Sequence, residues 1–159
     1  MTNIKEKLMN EGFEGFVSVK HLKSEFSASC IPNQEGVYHI LRLNESKPAF
    51  LETGTGGYFK KKNPNVDMKT LELNWVEDEP IVYIGKATDL NKRLQQYMQF
   101  GCGKNVGHYG GRYIWQLEDS DELIVCWKRT ANSGEVESKM IAEFKKSHNG
   151  KRPFANLVG

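Results

Sequence analysis

Apolar residues along the chain switch between helical and strand-like spacing, and the switches divide it into elements. Ile4, Leu8 and Met9 recur at helical spacing, and Ser18 is placed to cap a second short helix through Lys23. Residues 1–34 therefore read as a helical appendage, and 35–159 as the main domain. Pro32-Asn33 marks a turn into GVYHILRL (36–43), whose β-branched and aromatic content predicts a strand. The stretch 50–65 is turn-rich, and DMKTLELNW (67–75) predicts a short helix capped by Asp67. PIVYIG (80–85) predicts a buried strand closed by glycine. Thr88 is placed to cap a helix running to Phe100 and ended by Gly101.

After a glycine-rich loop (101–111), RYIWQL and DELIVCWKR predict one or two more strands. A helix follows over Ser133–Ser147, with Val136, Met140, Ile141 and Phe144 as its buried stripe. The closing GKRPFANL reads as a loop docking back on the body. The architecture expected is α/β in the α+β sense: a small, mainly antiparallel sheet flanked by helices.

At 159 residues the chain is the size of one ordinary domain with one core. No apolar run approaches the roughly 20 residues a bilayer span needs, and MTNIKEKLMNEG has no apolar signal core. Cys30, Cys102 and Cys126 are widely spaced and form no CxxC pair, so reduced thiols in a cytoplasm are expected. The net charge of +2 is uninformative, but its distribution is not. Residues 80–112 carry five bases (Lys86, Lys92, Arg93, Lys104, Arg112) against Asp89, whereas 113–130 carry four acids against two bases. Such asymmetry fits either a phosphate-binding surface or a plain solvated face.

Four motifs decide between them: GVY at 36–38, YIGKATDLNKRLQQY at 83–97, Glu137 in VESKMI, and Asn156 in RPFAN. In this order, and on these elements, they resemble the GIY-YIG nuclease family over residues 34–158. The resemblance implies a DNA endonuclease fold, with Tyr38 as general base and Tyr83 orienting water or phosphate. One departure is that 44 residues separate Tyr38 from Tyr83. The family's hairpin spacing is shorter, so an insertion over about 46–79 is expected to loop out.

The chemistry of the residues agrees with that expectation. Phosphodiester hydrolysis needs an activated water, a countercharge for the transition state and help for the leaving oxygen. Glu137 sits beside the apolar stripe of its helix, where a carboxylate needs a partner. One Mg²⁺ or Mn²⁺ ion is such a partner, and a neighbouring base such as Lys139 is another. Arg93 and Tyr97 share a helix face, with Arg93 suited to fork the scissile phosphate. Tyr97 reads as a phosphate contact or as packing beside Leu90 and Leu94. A phenol with a pKa of about 10 is a poor base unless cations lower it, which Lys86, Arg93 and the metal could do. Asn156 reads as a brace of the site through its amide or as a loop-closing hydrogen bond.

Lys60, Lys61 and Lys62, beside Tyr58 and Phe59, read as a grip on DNA backbone or as a solvated loop, and Lys92, Lys104 and Arg112 extend the basic set. His108 reads as an aid to metal or phosphate, or as a loop histidine with a structural hydrogen bond. Gly54, Gly56 and Gly57 lack a following GK[ST], so they do not make a nucleotide loop. Trp75, Trp115 and Trp127 are expected in the core. Two functions follow: a metal-dependent DNA endonuclease, or a catalytically inactive nucleic-acid-binding module of the same fold. One site cuts one strand, so double-strand cleavage would need a homodimer or two events.

Overall fold

A computed structural model describes residues 3–158, apart from the side chain of Tyr109. Its strands are β1 (Glu14–Ser18), β2 (Gly36–Leu41), β3 (Ile81–Ala87) and β4 (Ile124–Arg129). They form one antiparallel sheet in the order β1-β4-β2-β3. The helices are α1 (Ile4–Asn10), α2 (Val19–Ser24), α3 (Met68–Asn74), α4 (Leu90–Gly101) and α5 (Ser133–Ser147). The fold is α+β, as the periodicity predicts.

Interior position explains why GVYHIL does not alternate in polarity: every residue of β2 is buried, because both sheet faces are covered. One face carries Tyr38, Ile40 and Tyr83 and packs on α2 and α4 through Leu22, Leu90, Leu94, Tyr97 and Met98. The other carries Val37 and Cys126 and packs on α1 and α5 through Leu8, Val136 and Met140. Local capping agrees with the sequence at Ser18, whose Oγ accepts from His21 N, and at Asp67, which accepts from Thr70 N.

Four expectations need correction. The N-terminal stretch is not purely helical, since β1 pairs with β4 and Val19 and Leu22 enter the main core. Gly15 and Phe16 both have positive φ at a bulge, and this hid the short strand. Helix α4 is capped by Asp89, which accepts from Lys92 N, rather than by Thr88. Gly101 is the last residue of that helix, and a Cβ there would overlap the Trp115 ring. RYIWQL is not a strand: residues 109–116 form tight 3-10 turns. Finally, the insertion does not loop out. Leu71 is fully buried, and the Gln116 side chain accepts from Val66 N and donates to the carbonyls of Leu51 and Val66.

Candidate active site

Strand β3 lies at the edge of the sheet, where unpaired backbone groups need cover. The C-terminal segment supplies it. Ala155 N donates to Val82 O, and Asn156 bridges Ile84 by accepting from its N–H and donating Nδ2–H to its carbonyl, each at 2.9 Å. Asn156 is therefore a brace. Beside it opens a cleft of about 570 Å³ lined by Tyr83, Gly110, Arg112, residues of α5 from Glu137 to Lys145, and 156–158. Its α5 positions, 137, 138, 141, 142 and 145, share one helix face. Ser138 and Lys145 were thus legible as cleft residues from helical spacing, although only Glu137 was singled out.

The N-terminus of α5 is fixed by Glu35, whose Oε2 accepts from Ser133 N at 2.9 Å and Ser133 Oγ at 2.8 Å. These bonds hold the Glu35 carboxyl below its usual range. Glu137 sits one turn on and is half-buried, and burial raises its carboxyl while nearby Lys86 opposes the shift. Lys139 makes no ion pair with it; Lys86 is the cation that acts on it. Among the described residues no cluster of three or more His, Cys, Asp or Glu side chains is arranged for a metal. What the cleft offers is one carboxylate among cations and open space.

The two tyrosines do not face the cleft together. Tyr83, opposite Ile40 on β2, lies at the edge and lines it. Tyr38, opposite Gly85, is 0% exposed and stands behind, on an interior strand. Gly85 makes this possible, since a Cβ there would overlap the Tyr38 ring. The net shift of the Tyr38 phenol is upward. Burial, and next Tyr83, hold it well above its ordinary range, with Arg93 pulling the other way to a lesser degree. Burial raises Tyr83 and Tyr97 as well. At Tyr38 desolvation outweighs the guanidinium of Arg93.

Arg93 and Tyr97 share a face of α4, and both are tied to the loop that follows. Arg93 Nη1 donates to Gly107 O at 2.9 Å, and the Tyr97 hydroxyl donates to Gly111 O at 2.6 Å. Tyr97 is fully buried, so the packing alternative holds for it. Its ring stacks on His108, a loop histidine whose Nε2 shares a hydrogen bond with the Tyr38 hydroxyl, as one of the two readings of it expects.

Of the basic set, Arg112 lines the cleft, while Lys60, Lys61, Lys62, Lys92 and Lys104 are exposed. The Lys60 amide donates to Asn105 Oδ1, and Phe59 packs against Gly107, so the triple-lysine tip sits on the loop that holds Arg93. Trp115 and Trp127 are in the core, and Trp75 packs at its border on Phe154. No described helix is long and apolar enough to cross a membrane.

Comparison of the chain with protein-family models, with curated proteins and with solved structures returned no match.

Proposed function

We propose that the protein is a metal-dependent endonuclease that hydrolyses DNA phosphodiester bonds, of the kind the GIY-YIG resemblance implies. The observation that carries the proposal is the shared cleft of Tyr83 and Glu137, with the cations Arg112 and Lys145 in the same wall. A raised, half-buried carboxylate beside a phenol is costly for a merely structural surface and useful in a hydrolase. When bound, one Mg²⁺ or Mn²⁺ ion at Glu137 would offset the charge gathering on the phosphate.

The remaining work falls to the chain itself. Arg93 supplies a fixed positive charge near the phenols, and Tyr83 orients the attacking water and takes up its proton. Asn156 keeps β3, and hence Tyr83, in register with α5. The exposed lysines at 60–62, 92 and 104 follow the DNA backbone. A cytoplasmic protein acting alone on one strand, or as a homodimer on two, fits this reading.

The test is incubation of purified protein with supercoiled plasmid, with and without Mg²⁺. Nicking that requires the metal supports the proposal. Tight DNA binding with no cleavage under any divalent ion would favour the inactive binding module instead.

A further inference from the structure

Most of the cleft beside Glu137 is apolar, and its volume of about 570 Å³ falls in the range of roughly 300–1,000 Å³ over which proteins enclose small organic ligands. Along α5 it begins at Glu137 and ends at Lys145, eight positions or roughly 12 Å away. Between those charges the helix presents Ile141 and Ala142, and Leu157 and Val158 of the closing segment line the same space. Ile141 and Tyr83 are buried and form its floor, whereas Ala142 and Val158 are exposed at its rim. The result is an apolar chamber with a carboxylate at one end and cations in its walls.

Paired duplex DNA has little to bury in such a chamber. Its outer face is phosphate and sugar, its base faces are stacked, and its base edges lie in the grooves. A nucleotide that has left the stack fits better, with its base against the apolar walls and its phosphates toward the cations. We infer that the cleft is a nucleobase subsite, and that the substrate is DNA with an unpaired nucleotide next to the scissile bond. The inference rests on the nuclease reading and narrows it to a strand that is single or bulged at the cut. A strand laid along α5 with its scissile phosphate at Glu137 passes Ile141 and Ala142 before it reaches Lys145. Its base therefore enters the chamber beside the reacting bond, and Arg112 and Lys145 carry the charge its phosphates require.

The subsite reads the presence of a base rather than its identity. Apolar walls carry no donor–acceptor code, and every base has a π face to lay against them. Extruding a paired base costs stacking and pairing energy, and least where the base is already unpaired. Perfect duplex is therefore the poorer substrate. Negative supercoiling favours local strand opening, so a supercoiled plasmid offers the strand that a relaxed duplex withholds.

Three DNAs of one sequence test this: a perfect duplex, the same duplex with one extra unpaired nucleotide at its centre, and the single strand. Single-turnover cleavage in Mg²⁺ should be at least about 10-fold faster for the bulged duplex and the single strand, whichever base is unpaired. With 2-aminopurine as the unpaired nucleotide and no metal present, binding should change its emission, whereas the same base paired in the duplex should show no change. Ala142→Met, at an exposed helix position, narrows the cleft without adding charge or a stacking ring. It should shrink both the emission change and the ratio of bulged to duplex rates severalfold, at an unchanged melting temperature. Equal cleavage of duplex and bulged DNA would overturn the inference, as would a ratio or an emission change that Ala142→Met leaves intact. If wild type cuts no DNA at all, the nuclease reading fails, and the emission change alone decides whether the cleft takes a base.

Discussion

Asn156 holds both backbone groups of Ile84, an arrangement that treats the end of the chain as one more rung on the edge of β3. Both atoms of the amide are engaged with the backbone of β3. Asn156→Ala should therefore destabilise the protein by about 1–3 kcal/mol, the cost of two buried backbone groups losing their partner. Activity should fall through looseness of Tyr83, and urea unfolding measures the first effect directly. Lost cleavage at unchanged stability would instead give the amide a part in the chemistry.

His39 provides an acid-sensitivity test independent of function. It is buried against Phe13 on the α1 side of the sheet, and burial pushes its imidazole down to about 4, against a weaker opposing bond to the Tyr38 carbonyl. The folded value lies below the unfolded value of about 6.5, so the unfolded chain binds the proton first. Stability is complete above about pH 6.5 and is lost as pH falls toward 4, by on the order of 3 kcal/mol from this residue. Urea midpoints from neutral to acid pH should show that limb. His39→Leu should flatten it without removing it, since His108 is lowered too and adds the same sign.

Much of this was legible in the sequence. Helix α5 has the predicted bounds because its apolar spacing is long and regular, and β2 and β3 stand out by composition. The 109–116 stretch misled because Tyr113, Ile114 and Trp115 favour strands, yet three consecutive buried side chains suit a tight turn wrapped by neighbours. Tyr83, Glu137 and Asn156 were recognisable as one site. That Tyr38 stands behind Tyr83 depends on strand order, with β2 interior and β3 at the edge, and no local pattern encodes that. His108 was missed as a partner of Tyr38 because only the fold brings that loop onto β2.

The triple-lysine tip should act on binding alone. Lys60 and Lys61 hold left-handed backbone, which presents consecutive cations at an exposed turn. Changing Lys60, Lys61 and Lys62 to Ala should weaken DNA binding and flatten its salt dependence. The log–log slope should drop by about 0.9 for each phosphate that is no longer neutralised. Cleavage of saturated complexes should be unchanged. Equal affinity across a salt series would make the tip a structural loop.

Arg93 and the phenols separate in pH and rate. Arg93→Lys keeps the charge but loses the fork, so the single-turnover rate should drop on the order of 10²-fold while affinity changes little. Both phenols are raised by burial, so the wild-type rate should have no tyrosine inflection between about pH 6 and 9. An inflection there that vanishes in Tyr38→Phe would restore an ionised Tyr38 as the base.

The central claim is that Glu137 makes this cleft a metal-dependent hydrolase, and Glu137→Gln tests it most directly. Amide and carboxylate are nearly the same shape. Because burial raises the carboxyl above its unfolded value, its charge opposes folding as pH rises through the folded value. The Gln variant should therefore be at least as stable as wild type at neutral pH. The measurement is single-turnover cleavage of supercoiled plasmid by both proteins across an Mg²⁺ titration. Wild type should nick in a metal-dependent way, and the Gln variant should bind without detectable nicking at every concentration. Cleavage by Glu137→Gln at the wild-type rate would contradict the claim.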